Sequence, residues 1–452
     1  MNELTLHLLR RPSLHRPKCP VHFHRFPTIS LALITAVLLW MPTPSYATED
    51  QSYQALRNWI DNPPAGAPAT PGQHLTLSDR EAVLEALIPQ AAWKYYFFDD
   101  MDMEIAATRH YPAPDDWGKT MASDYTMDED GTLKGFTGGG FPYKDISADD
   151  PFAAQKVIWN MLWRPGANDY DMPMVTWLRG ESGKLDRVME YTSVNATYAR
   201  GDNSLVPGYE EVKSKQVMEF RSPRDMAGAK DMSIRYVDHH RENSGWLYMP
   251  SQRKPRRTLA SERTGELMGM DMIREDSMGF GGKIYENNWT YLGRRKVLAT
   301  INVSTNPEFG GPSLWVPHKT RWEVRDTHVV LVQPKADNHP YSARIVFIDA
   351  ETYWTHWMFA FDKQDDQLLR MNQHFLKYSE DYGTEPPTQA PYIKQDFSKS
   401  VGHQVFLHLG QVDINAKKPH ATMTHCFTNK REFTAARAKQ FYSLRNMISG
   451  RR

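Results

Sequence analysis

The run "DDMDME" (Asp99 to Glu104) places four acidic side chains within six residues. Such a cluster could supply paired carboxylates for acid–base hydrolysis, or several oxygens for a hard cation. It lacks the glycine of a calcium-binding loop and has no definable partner, so it reads as a solvated loop. His239 and His240 are adjacent, and adjacent strand residues point to opposite faces, so one metal could not easily take both. No HExxH or comparable spacing occurs among the histidines, and no metal site is expected. Cys426 in "MTHCFTN" has only His425 beside it, and there is no GxSxG, so a nucleophile is not expected either. "TGGGFP" lacks the Lys-Ser/Thr that would make it a phosphate-cradling loop, and it reads as a turn. No catalytic residue and no cofactor are assigned.

One basic cluster has a plausible use. "SQRKPRRTLAS" (Ser251 to Ser261) carries Arg253, Arg256 and Arg257 directly after the aromatic strand "GWLYMP". Guanidinium forks suit phosphate or carboxylate, so these arginines could meet an anionic lipid headgroup or an acidic partner surface. Equally, they could guard a strand edge with charge.

The elements that must position these residues are mostly strands. The 452 residues are 40% hydrophobic and 24% charged, a balance that fits a globular chain. Residues 1–47 read as a targeting segment. A basic stretch with Arg10, Arg11, Arg16, Lys18 and Arg25 leads into "ISLALITAVLLWM", and "PSYA" offers a cut after Ala47. This run of thirteen residues is too short for a spanning helix, which needs roughly 20. The expected mature chain carries 49 basic and 53 acidic residues, a net charge that argues against nucleic acid as a partner. Cys426 is then the sole cysteine, so stability must come from burial rather than a disulfide.

Residues 48–165 read as an extended and helical region. Helices are expected over "LSDREAVLEALI" and over Asp150 to Arg164, the second with Pro151 at its first position. From 166 to 385, runs rich in aromatic and β-branched residues alternate with period two, which predicts one large, mainly antiparallel sheet in an α+β fold. Residues 386–452 read as loops followed by a closing helix. Within the sheet, "ETYWTHWMFAF" is apolar on both faces. Tyr353, Thr355, Trp357, Phe359 and Phe361 are expected on one face, and Trp354, His356, Met358 and Ala360 on the other.

Several segments together resemble a known family. Trp246, Tyr248 and Pro250, then Arg253, Arg256 and Arg257, then Gly269 and Asp271 with Glu275 and Asp276, are similar to the pattern of periplasmic outer-membrane lipoprotein-sorting carriers of the LolA/LolB kind. More narrowly, Lys156, Trp159 and Asn160, together with Arg344, Asp349, Asp362 and Arg370, resemble the DUF1329 family. The chain departs from that pattern in "KQDDQ" after Asp362. The resemblance implies a large, curved, half-open β-barrel with helices covering its concave side, no enzyme activity, and carriage of a lipid or other hydrophobic compound. An exporter or outer-membrane protein would be the partner, and peripheral membrane contact is possible.

The expected function is therefore a periplasmic, non-enzymatic carrier. Trp246, Tyr248, Tyr353, Trp357, Phe359 and Phe361 are the expected hydrophobic lining. The alternative is a periplasmic hydrolase acting on a lipid or glycan, using carboxylates of Asp99 to Glu104 and a histidine such as His356.

Overall fold

The computed structural model describes residues 50–111, 125–136, 140–164, 169–200, 203–303, 308–378 and 406–448. The expected targeting segment lies outside them. Among the described residues, sixteen strands hydrogen-bond into one sheet. In chain order they are β1 (His74–Leu75), β2 (Met103–Ile105), β3 (Tyr170–Gly180), β4 (Leu185–Thr197), β5 (Val212–Ser222), β6 (Lys230–Tyr236), β7 (Ser244–Met249) and β8 (Lys254–Thr258). Then follow β9 (Asn287–Ala299), β10 (Thr320–Pro334), β11 (Tyr341–Asp349), β12 (Thr355–Asp362), β13 (Leu368–Tyr378), β14 (Phe406–Asn415), β15 (His420–Cys426) and β16 (Asn429–Lys430). Across the sheet the order is β9, β10 to β15, then β3 to β8, with β2 beside the start of β10 and β16 beside the start of β3. All ladders are antiparallel except β2 with β10. The sheet curves strongly and stays open between its edges β8 and β9, the half-open fold expected from the resemblance.

Two late strands join its halves. β14 and β15 run through a region read from sequence as loop, and they connect β13 to β3. Their pattern escaped notice because every second position on one face is polar: Gln411 and Asp413 on β14, Thr422 and Thr424 on β15. That face is buried, so its polarity is satisfied internally rather than by water.

The opposite face carries the largest apolar core. Helix α1 (Tyr53–Asp61) starts where Ser52 accepts from the Ala55 amide at 3.2 Å, and it buries Leu56, Trp59 and Ile60. Tyr53 meets Phe361 edge-on at 5.6 Å, Trp59 meets Phe347 at 6.2 Å, and Tyr96 meets Trp357 at 5.0 Å. The helix expected over residues 77–88 forms only short mixed turns that end at Leu87, because Ile88 is extended before Pro89. Trp357, Phe359 and Phe361 are fully buried under this cover, each contributing roughly 1.5–3 kcal/mol. Further along the sheet, α3 (Ala435–Phe441) and α4 (Leu444–Ile448) cover Val194, Val217 and Met232.

On the first, polar face lies helix α2 (Ala153–Trp163), which begins two residues after Pro151. Its Val157, Ile158 and Met161 pack against Val330, Val346, Met358 and Ala360. Strands from the far half of the sheet reach the same helix. Lys213 of β5 sits 3.7 Å over the Trp163 ring, and His239, just after β6, is 4.9 Å from the Trp159 ring. Both halves of the sheet therefore wrap around α2, and this face is the inside of a trough. Among the described residues α2 is the one regular helix on the concave side; α1, α3 and α4 lie on the other.

Candidate ligand-binding trough

The bulge in β12 decides which aromatic residues can face the trough. Phe347 pairs with Trp357, but Ile348 pairs with Thr355, so His356 is the extra residue. A one-residue insertion reverses the alternation. Thr355 therefore points to the trough side, donating to the Met278 carbonyl at 2.9 Å, while Trp357 points away and donates to the Leu298 carbonyl at 2.8 Å. Tyr353 precedes the strand in a left-handed conformation (φ 55°) and stacks on His328 at 5.7 Å, in the core around α2.

The six expected lining residues thus do not form one surface. Trp357, Phe359 and Phe361 lie beneath residues 53–98, Tyr353 lies beside α2, and Trp246 and Tyr248 pack toward the cluster that α3 and α4 cover. The expectation of a shared lining is corrected by the bulge and by the separate covers. Arg253, Arg256 and Arg257 are exposed on the turn and on edge strand β8, with Arg256 paired to Glu262 at 2.8 Å.

The residues of the hydrolase alternative do not converge. His356 is bonded to Asp349 at 2.9 Å, and Arg325 holds the same carboxylate at 2.8 Å. Asp102 instead meets His74 at 2.8 Å, and Glu104 meets Arg321 at 3.3 Å, at partly exposed positions. Asp128, Asp130 and His240 bring one ligand atom each within 4.8 Å of one another, although Lys134 already pairs with Asp128 at 2.6 Å.

What the trough does contain is a gradient along β3, β4 and β5. At one end Met189, Tyr191 and Phe220 pack with Met270 and Met272, and Met174 and Met218 complete that cluster while staying partly accessible. Tyr191 stacks on Phe220 at 4.9 Å, and its hydroxyl lies 3.1 Å from Thr176. The middle is neutral and polar: Gln216 donates to Ser193 at 2.7 Å. At the other end stand Tyr170, Arg164, Lys213 and Arg235, all partly accessible although enclosed by α2 and three strands. Arg164, at the end of α2, lies 3.8 Å over the Trp354 ring and donates to the Met161 carbonyl at 2.6 Å. Arg235 is the cross-strand partner of Ser214, next to Lys213.

This cationic end is electrostatically strained. Burial, then the neighbouring charges of Arg235, Arg164 and Lys283, push the Lys213 ammonium down to about 7. Burial brings the Arg164 guanidinium down to about 10 and lowers that of Arg235. His239, desolvated and facing Lys283 and Lys213, is lowered to about 3 and is neutral. Sequence reading missed these residues because Lys213 and Arg235 look like the solvent-facing members of ordinary alternating strands. The trough lining is itself accessible enough to share that signature.

The segment after β8 closes one side of the trough through buried charge. Asp276 accepts from Arg344 at 2.9 Å and from the Tyr341 hydroxyl at 2.7 Å. Asp271 accepts from Thr422 at 2.7 Å and meets His420 at 2.6 Å. Glu275 meets His339 at 3.3 Å, and Arg370 donates to Glu266 at 3.1 Å. The acidic positions noted in the sequence pattern are therefore fasteners that hold residues 266–276 onto β11, β13 and β15.

Three solved structures align with this chain. A domain from Vibrio parahaemolyticus named for outer membrane lipoprotein sorting aligns with a TM-score of 0.42 at 13% identity, over 65% of this chain and 97% of its own. A DUF1329 family protein from Desulfovibrio piger aligns with a TM-score of 0.43 at 13% identity, over 64% and 96%. A LolA superfamily protein from Nitrosomonas europaea aligns with a TM-score of 0.38 at 8% identity, over 65% and 98%. Comparison with curated proteins found no match. The family model for DUF1329, described as a protein of unknown function, matches residues 83–435, and the chain belongs to that family.

Proposed function

We propose that this protein is a periplasmic, non-enzymatic carrier that holds a lipid or other hydrophobic compound in the trough. The observation that supports this most is the row of inward-facing residues, Met174, Gln216, Met218, Ser233 and Arg235, which stay partly accessible inside a wrapped sheet. Methionine side chains are flexible and polarisable, so they fit apolar ligands of varied shape. Burying ligand surface there contributes about 25 cal/mol per Å2 without any chemistry. No helix among the described residues is long and apolar enough to cross a membrane. Delivery to an exporter or outer-membrane protein would use the exposed edge with Arg253 and Arg257, which stands clear of the trough.

Fluorescence enhancement of N-phenyl-1-naphthylamine tests the reading. Wild-type protein should bind the dye, and Met218→Trp, which fills the trough, should weaken binding at least about tenfold. Leu314→Ser, at an exposed apolar side chain, should leave binding unchanged. Equal binding by wild type and Met218→Trp would place the dye elsewhere and defeat the assignment.

A further inference from the structure

Arg164, Lys213 and Arg235 make no ion pair with any carboxylate among the described residues, and Lys213 and Arg235 make no side-chain hydrogen bond there. Three other buried or half-buried cations are matched by carboxylates, Arg344 by Asp276, Arg325 by Asp349 and Arg274 by Asp231, while Lys283 is held by the His239 and Arg241 carbonyls and Lys215 by the Tyr198 and Tyr209 rings. Enclosing cations without partners is unfavourable, and proteins retain such sites where the missing charge arrives with a ligand. From this mismatch we propose that the trough takes an amphipathic ligand whose anionic headgroup, a carboxylate or phosphate, sits among Arg164, Lys213 and Arg235.

The surroundings of that end suit a headgroup. Trp163 and Trp354 flank it through cation–π contacts to Lys213 and Arg164, holding the two cations in place without neutralising them. The Tyr170 hydroxyl, whose pKa burial raises, stays protonated and supplies a neutral donor. Unmatched positive charge is thus concentrated at one end of the groove, for at the other Asp231, the cross-strand partner of Met218, is paired with Arg274. From Lys213 the inward side chains of β5 pass through Gln216 to Met218 and Phe220, a run of roughly 17 Å from Lys213 to Met218 at strand rise. A chain with one charged end and one apolar end matches that order, head at Lys213 and tail at the methionines.

The proposal rests on the carrier reading, and one experiment separates the two. Wild-type protein, Arg235→Gln and Lys213→Met are titrated with 11-(dansylamino)undecanoate, with its methyl ester, and with inorganic phosphate followed by thermal shift. Circular dichroism confirms that each variant folds. The expected result is acid bound at least about tenfold more tightly than ester by wild type, a preference lost in both variants because acid binding falls far more than ester binding. Acid and ester binding equally, with no change in the variants, would overturn the headgroup site but leave the carrier reading standing. Phosphate binding with no ester binding would overturn the amphipath and the carrier together, making the nest a site for a free anion. Binding of none of the three would overturn both.

Discussion

Asp276 and Arg344 lie 2.9 Å apart with 1% of each side chain exposed, and they fasten the segment after β8 to strand β11. The carboxylate also accepts from the Ile273 amide at 3.2 Å, so it closes its own turn as well as the trough. Removing one partner strands a buried charge, which costs about 3–5 kcal/mol. Arg344→Met should therefore lower stability by about that much in urea denaturation, and adding Asp276→Asn should recover part of the loss. A cost below about 1 kcal/mol for Arg344→Met would mean that the segment is held by packing alone.

Gly279 tests the same segment from its backbone. Its φ is 93°, and an added Cβ would lie 2.5 Å from the Thr355 hydroxyl. Strain and the clash act together, so Gly279→Ala should destabilise by more than about 1 kcal/mol. Thr355→Ala removes the close atom and should relieve part of that loss, measured by a double-mutant cycle.

Asp413 is buried between Asn372 and Gln411, with Gln411 donating at 2.7 Å. Burial raises its carboxyl from 3.8 to about 7; the two amides oppose the rise, while Asp276 and Asp271 add to it. Between those values the folded protein holds a proton that the unfolded chain has lost, so this group's contribution to stability falls as pH rises from 3.8 to about 7. Asp413→Asn should give its largest gain in thermal midpoint above pH 7 and little at pH 4. A constant effect across that range would contradict the assignment.

Lys213 has the opposite arithmetic. Its folded value is about 7 against 10.5 in the unfolded chain, so the folded state binds fewer protons between them and stability rises with pH across that window. Lys213→Met should raise the thermal midpoint most at and below pH 7, with the gain fading toward pH 10. Stabilisation combined with lost anion preference is the pattern of a residue kept for binding rather than for folding.

Much of the architecture was legible because burial on one face imposes alternation. The strands from 170 to 378 and the helix at 153–163 announce themselves through apolar spacing, and the family pattern added the half-open curvature. Three features were not legible. The bulge at His356 depends on pairing with Phe347 and Ile348, which no local pattern encodes. Strands β14 and β15 carry Gln, Asp and Thr on a buried face, so their polarity imitates loop. The cations of the trough imitate solvated strand residues, and only the enclosure by α2 distinguishes Lys213 and Arg235 from the exposed Arg253 and Arg257.

Organic extraction of the protein, purified from envelope without detergent and followed by mass spectrometry, tests the central claim most directly. The account predicts a near-stoichiometric amphipathic compound with one carboxylate or phosphate, depleted in Met218→Trp and in Arg235→Gln. Recovery of the same compounds in equal amounts from wild type and both variants, or of none from any of them, would contradict it.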